Sequence, residues 1–265
     1  MPAPPSRCIP DWQLPPGVSP GTWDYTQKES IADDYDDYFA CHPLFDLDEA
    51  FLSSLISEDV PQTIADLGCG TGRALLPLLR QGHRGIAVDL SQSMLDIVQA
   101  KCEEEQLAVS CVRANLVQLD CLPDASVDVA ISLFSTLGMI RGRSNRIAAL
   151  GHAKRILRPR GKFLLHVHNT WAAFWDPSGP WWLLRSWTGS FSRGNDFGDR
   201  TYQYRGLPNM FLHNYRANEL RRDLTRGGFG SIELYPINRT ASENIRLPKL
   251  FPSVRAGGFI VVASG

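Results

Sequence analysis

The chain has 265 residues, 43% of them hydrophobic and 21% charged, enough to bury one large core, with room for a modest insertion. A formal charge of -1 advertises no polyanionic partner, although a sum does not exclude a local basic patch. No apolar run is long enough for a signal peptide or a bilayer span, and the six cysteines show no CxxC pair or other metal-ligand spacing. A reduced, cytoplasmic protein without a metal is expected.

Residues 1–40 are expected to form a flexible Pro-rich lead followed by an N-terminal cap segment, which includes the acidic-aromatic stretch Ile31 to Phe39. Residues 41–265 read as one domain. A helical pattern runs from Leu47 to Ile56, and from Thr63 short apolar runs alternate with longer amphipathic ones. Strands are predicted at Thr63 to Leu67, Arg84 to Asp89, Ala108 to Arg113, Val127 to Leu133 and Lys162 to His168. Between them lie helices from Gly72 to Arg80 (bent at Pro77), from Ser91 to Glu105 (capped by Ser91) and from Asn145 to Leu157. A helix at Ala217 to Arg226 and strands at Phe229 to Tyr235 and Phe259 to Ala263 complete the pattern. The fold class is α/β, a Rossmann-like doubly wound, mostly parallel sheet of seven strands with helices on both faces.

The rhythm lapses between about residues 170 and 215, which read as an insertion on the substrate side of the sheet. Trp171, Trp175, Trp181, Trp182 and Trp187 lie within it. They suit a lid that offers aromatic surface to an apolar or planar ligand, or a small satellite core. With Arg185, Arg193 and Arg200 nearby, a membrane-interface role is a third option, but the segment shows no clean amphipathic stripe.

The chemistry begins at Asp66-Leu-Gly68-Cys69-Gly70-Thr-Gly72. Alternate glycines after a strand allow a sharp turn and bring backbone N–H groups close to a ligand. Asp89, at the end of the next strand, is positioned to accept from both ribose hydroxyls of an adenosine. A dinucleotide fingerprint wants a third small residue, but Arg73 and Leu75 occupy the two candidate positions. No Gly-Lys-Ser/Thr follows, which excludes a P-loop.

This ordered set resembles the class I S-adenosylmethionine-dependent methyltransferases. The loop resembles the family's first motif, Asp89 its second-strand acid, and Ser91-x-x-Met94-Leu95 its following helix start. Val127 to Ser132 resembles its fourth strand, and Leu157 to Lys162 its turn into strand 5, with Arg160 at a common glycine position. The resemblance implies that 41–265 is a methyltransferase domain with S-adenosyl-L-methionine as cofactor. It assigns Asp66, Gly68, Cys69, Gly70 and Gly72 to the methionine end and Asp89 to the ribose. Leu90 and Met94 would pack on the adenine, with Asn115, where an acid is usual, and Leu116 beside them. Leu133 and Phe134 would lie beside the transferable methyl, and Tyr35 or Tyr38 over the cofactor.

Methyl transfer from a sulfonium needs alignment and a dry site more than a fixed catalytic signature. His166 and His168 share one face of their strand, and His168 ends it, where open α/β sheets bind ligands. His168 is the leading candidate for general base or acceptor-orienting group, and His213 with Tyr215 forms a second cluster. The competing reading for each, and the one that such residues more often follow, is a hydrogen-bonded structural residue. The primary expectation is methylation of O or N on a small-molecule acceptor. A tRNA methyltransferase of the wobble-uridine type is the alternative, with Arg141, Arg143, Arg146, Lys154, Arg155 and Arg158 as phosphate contacts. The remaining option is a non-catalytic S-adenosylmethionine-binding module.

Overall fold

A computed structural model describes residues 9–39, 44–57, 60–191, 195–240, 243 and 251–265. The first eight residues of the Pro-rich lead, together with Cys41 and Arg193, fall outside this set.

The chain enters through a 3-10 turn at Asp11–Gln13 and the helices α1 (Pro20–Gln27), α2 (Glu29–Asp33), α3 (Tyr35–Phe39) and α4 (Leu44–Leu55). There follow β1 (Thr63–Leu67), α5 (Leu75–Arg80), β2 (Arg84–Asp89), α6 (Gln92–Glu104), β3 (Val109–Arg113) and β4 (Val127–Ser132). After a 3-10 turn at Thr136–Met139 come α7 (Arg143–Ile156) and β5 (Leu157–His168). The segment that broke the sequence rhythm holds a 3-10 turn (Thr170–Trp175), α8 (Gly179–Gly189) and a hairpin of β6 (Asp199–Tyr204) and β7 (Leu207–His213). The chain closes with α9 (Ala217–Arg226), β8 (Ser231–Ile237), α10 (Pro252–Arg255) and β9 (Gly258–Ser264).

Seven strands form one sheet in the order β3-β2-β1-β4-β5-β9-β8. β1 to β5 pair in parallel, and β9 runs antiparallel between β5 and β8. This is the Rossmann-like fold expected from the β-α alternation. Strand periodicity splits the core in two. Ala65, Ala130, Leu165 and Val261 point to the face covered by α7 and α9, whereas Ile64, Ile131, Leu164 and Ile260 point to that covered by α4, α5 and α6. The strand order reverses between β1 and β4, which opens a crevice at their carboxyl ends.

Three local expectations shift. α5 begins at Leu75, so Pro77 sits in its first turn, where a backbone N–H has no helical partner and no bend is needed. Ser91 occupies the N-cap of α6 with an extended backbone, but its hydroxyl bonds the carbonyl of Thr26 at 3.1 Å instead of capping the helix. β5 starts five residues early because Leu157 already pairs with Val127, before Arg160 turns through φ +70°.

The N-terminal helices lie across the carboxyl end of the sheet. Ile31 and Ala32 of α2 pack on Met94 of α6, and α1 approaches β7 so closely that a Cβ on Gly21 would fall 2.4 Å from the carbonyl of Asn209. Arg205, in the β6–β7 turn, donates to the carbonyl of Ile31 at 3.1 Å. These contacts make one lid from two segments far apart in sequence.

Candidate active site

The glycine loop is fastened to the neighbouring strand, since the backbone N–H groups of Gly68 and Cys69 both donate to the carbonyl of Val88, at 2.8 and 3.0 Å. Gly68 has φ +87°, and a Cβ there would meet Thr136 Cγ2 at 2.3 Å, so no other residue fits. Asp89 then orders the loop from beneath. One carboxylate oxygen accepts from Gly70 N and the other from Ser91 N, both at 2.9 Å. Burial raises the Asp89 carboxyl above its ordinary range, while the Ser91, Gly70 and Leu90 N–H groups pull it back. The remaining lone pairs of each oxygen stay available toward the cavity that Asp89 lines.

That cavity holds about 520 Å³. Gly68, Asp89, Leu90, Asn115 and Leu116 line its donor end, and Tyr35 closes over it. Tyr35 is held by its neighbour Asp36, which accepts from the Thr71 hydroxyl and pairs with Lys101. The Tyr35 ring lies 3.7 Å from where a Gly70 Cβ would stand, and burial pushes its hydroxyl pKa up. Asn115 is locally engaged: its amide nitrogen donates to Pro16 O at 2.8 Å, and its oxygen accepts from Val117 N at 3.0 Å. One lone pair on that oxygen remains for a ligand amine.

Beneath the loop lies a buried charge cluster that the sequence reading missed. Arg73 pairs with Asp48 at 2.6 Å and stacks over Phe45 at 3.9 Å. Burial lifts Asp48 to about 6 and Asp66 to about 7, with Arg73 opposing both shifts. Asp66 does not line the cavity.

The far end of the cavity begins at the exit of β4. Phe134 and Ser135 both adopt left-handed backbone, at φ +54° and +64°, a strained pair of a kind that collects at functional sites. Phe134 lines the cavity and packs against Phe39 at 4.8 Å. His168, at the end of β5, also lines it and is exposed, and its backbone N–H meets Ser135 Oγ at 3.4 Å. Opposite stands one face of the hairpin. Arg200, Tyr202 and Tyr204 alternate along β6, with Leu212 and Met210 paired across from the first two. Burial lifts the Tyr204 hydroxyl to about 12.

The other hairpin face is a clamp. His213 Nδ1 lies 2.7 Å from Asp199, and its Nε2 lies 3.1 Å from Glu219 of α9. Glu219, despite burial that raises its pKa, is held below the ordinary value by His213 and Arg216. Arg146, fully buried, pairs with Asp196 at 2.8 Å and faces the Tyr215 ring. Ligand atoms of Asp196, Asp199 and His213 come within 4.8 Å of one another, but Arg146 and Glu219 already engage this cluster.

Eight residues expected at the site therefore meet around one cavity: Tyr35, Gly68, Asp89, Leu90, Asn115, Leu116, Phe134 and His168. Gly70 contributes through its N–H to Asp89, and Cys69 and Gly72 shape the loop from behind. Met94 and Leu133 are buried in the cores, and His213 and Tyr215 lie in the clamp. The tryptophans do not line the cavity. The aromatic wall is made of tyrosines instead, and its signal was the two-residue spacing of Tyr202 and Tyr204.

A sequence model of the family described as a methyltransferase domain matches residues 64–161, the stretch from β1 to the start of β5. The solved 1,6-didemethyltoxoflavin-N1-methyltransferase of Burkholderia thailandensis, with 1,6-didemethyltoxoflavin and S-adenosylhomocysteine bound, superposes with a TM-score of 0.58 at 18% identity. That match covers 94% of this chain and 92% of the other. Residues 64–161 thus match a methyltransferase-domain family, and the chain as a whole shares its fold with solved methyltransferases. The CcbJ methyltransferase of Streptomyces caelestis is likewise similar in fold, with a TM-score of 0.62 and 19% identity over 89% of this chain and 96% of the other. A cypemycin N-terminal methyltransferase from Streptomyces sp is 32% identical over 104 residues, 39% of this chain and 41% of the relative. A methyltransferase-like protein of Geobacillus sp. (strain WCH70) is 31% identical over 108 residues, 41% of this chain and 43% of the relative. The chain thus spans less than half the length of these curated relatives.

The residues at this end of the cavity fit S-adenosylmethionine as a ligand. The Gly68 turn leaves no room for a side chain, and Asp89 keeps acceptor capacity facing the cavity. Among the described residues, no helix is long and apolar enough to cross a membrane.

Proposed function

We propose that the protein transfers a methyl group to O or N of a small, planar acceptor held between His168 and the tyrosine face of the hairpin. S-adenosylmethionine, when bound, supplies a methyl group already activated as a sulfonium. The chain aligns the acceptor and keeps water out. The observation that carries this reading is the roof itself. Tyr202, Tyr204 and Met210 offer flat apolar contact, and Arg200 adds a cation to the cavity wall. His168 lies across from them and is the group suited to accept the proton that an acceptor O–H or N–H releases as the new bond forms.

The state of the arginines in and beside α7 supports a small acceptor over tRNA. Arg143 pairs with Asp223, Arg146 with Asp196, Arg155 with Asp124, Arg158 with Asp128 and Arg141 with Asp11. Charges neutralised in this way offer a phosphate backbone little. A cytoplasmic setting belongs to the same reading, supported by the free thiols of Cys69, Cys102, Cys111 and Cys121.

The test is calorimetry with S-adenosylhomocysteine, followed by a methyl-acceptor screen of planar hydroxy and amino compounds. His168→Ala and His168→Gln should bind S-adenosylhomocysteine normally and lose on the order of a hundredfold in turnover. Unchanged turnover removes His168 from the reaction. Salt-dependent tRNA binding, with no small acceptor found, replaces the acceptor class. Cofactor binding without turnover on any acceptor points to the non-catalytic module.

A further inference from the structure

α8 is oriented against expectation. Its inward face is modest: Leu183 is buried, Ser186 Oγ accepts from Gly198 N at 2.9 Å, and a Cβ on Gly179 would fall 1.4 Å from the carbonyl of Ala173. Its outward face carries Trp181 (64% exposed), Leu184 (47%) and Trp187 (53%), and Phe191 (76%) continues the same line past the helix end. These positions, three or four residues apart, form one stripe along the helix. The stripe that the sequence seemed to lack is present because the helix starts only at Gly179. Phe174 and Trp175, also half exposed, extend the surface through the preceding turn, and Trp175 Nε1 reaches the carbonyl of Val254 on α10 at 3.5 Å. Contiguous exposed apolar surface of this kind marks an interaction site.

Charge narrows the partner. α8 has no acidic residue, and its one charge, Arg185, stands one turn from Trp181 at the edge of the stripe. At the turn before α8, Asp176 and Arg239 pair at 3.6 Å and offset one another. Tryptophan, with an apolar body and one polar N–H, favours the boundary between lipid and water. We propose that α8 docks the protein on an anionic lipid surface, lying in the interfacial plane with Trp181, Trp187 and Phe191 inserted and Arg185 at the headgroups. The same segment carries the cavity roof, and Arg200 sits 5.6 Å over the ring of Trp182 on α8, so docking and roof are mechanically joined. The inference does not depend on methyl transfer.

The test uses the full chain with vesicles of phosphatidylcholine alone or mixed with phosphatidylglycerol. The wild type should sediment with the mixed vesicles, less so with phosphatidylcholine alone or at high salt. Its tryptophan emission should shift to the blue and be quenched by brominated acyl chains. The double variant Trp181→Ser, Trp187→Ser should lose at least about tenfold in partitioning, and Arg185→Glu should erase the preference for phosphatidylglycerol. Both variants should keep the wild-type thermal midpoint and S-adenosylhomocysteine affinity, which separates failed docking from a failed cofactor site. Absence of sedimentation with either vesicle overturns the proposal. So does unchanged partitioning of the double variant, or a wild-type dimer that this variant converts to monomer.

Discussion

The two ends of the cavity are built in opposite ways. The donor end comes from consecutive elements, β1 to β4, with each binding group at a strand's carboxyl end and backbone N–H groups holding the key carboxylate. The acceptor end is assembled from pieces far apart in sequence: α1, α3, the exit of β4, His168 and the hairpin. A binding function shared by a whole family tolerates little variation in its short-range geometry. An acceptor wall attached through side chains and long-range contacts can be exchanged while the sheet stays intact.

The sharpest way to break the comparison is at Asp89. Asp89→Ala removes the acceptor for two backbone N–H groups as well as for the ribose, and should weaken S-adenosylhomocysteine binding by on the order of a hundredfold or more in calorimetry. Near-normal affinity would mean that the loop orders itself without the carboxylate.

The donor end should also carry a pH signature. Asp66 and Asp48 rise from 3.8 to about 7 and about 6 in the folded chain. The folded state therefore holds protons that the unfolded chain has released. Their stabilisation is complete below about pH 4 and is lost as pH climbs through 6 and 7. The thermal midpoint should be higher at pH 5 than at pH 8, and Asp66→Asn should reduce that difference by about 1–3 kcal/mol of unfolding free energy. An unaltered pH dependence in Asp66→Asn would show that Asp66 is ionised throughout.

On the acceptor side, Tyr202→Ala should raise the KM for the acceptor found by screening by about tenfold, equivalent to about 1.4 kcal/mol, with S-adenosylhomocysteine affinity unchanged. Loss of both together would mean that the roof helps to hold the donor as well. The smallest effect concerns the sheet alone. Exposed Arg160 sits at φ +70°, so Arg160→Gly should stabilise the fold by about 0.5–1 kcal/mol in denaturant titration, leaving both ligand sites unmoved.

The differing origins of the two ends also decide what a reader of the sequence can find. Asp66 to Gly72 and Asp89 were legible because glycine spacing and strand ends encode backbone conformation locally. Tyr35 was legible only through resemblance, since the latch from Asp36 to Thr71 and Lys101 spans 35 and 65 residues. The hairpin was hidden because β6 has six residues, too few for alternation to stand out, and five tryptophans nearby drew attention to the wrong aromatic surface. His213 and Tyr215 carried the right chemistry for a site, but pair with Asp199, Glu219 and Arg146 on the opposite face from the cavity.

By itself, then, the sequence determined the class of fold and the place of the glycine loop and Asp89 at the strand ends, because these follow from periodicity, turns and strand ends. Only the tertiary structure decided which residues roof the acceptor and which aromatic surface is left facing outward. Those outcomes rest on contacts such as Asn115 with Pro16 and Arg205 with Ile31, made across 99 and 174 residues. No local pattern specifies partners at that separation; they are set by how the N-terminal helices and the hairpin close over the finished sheet.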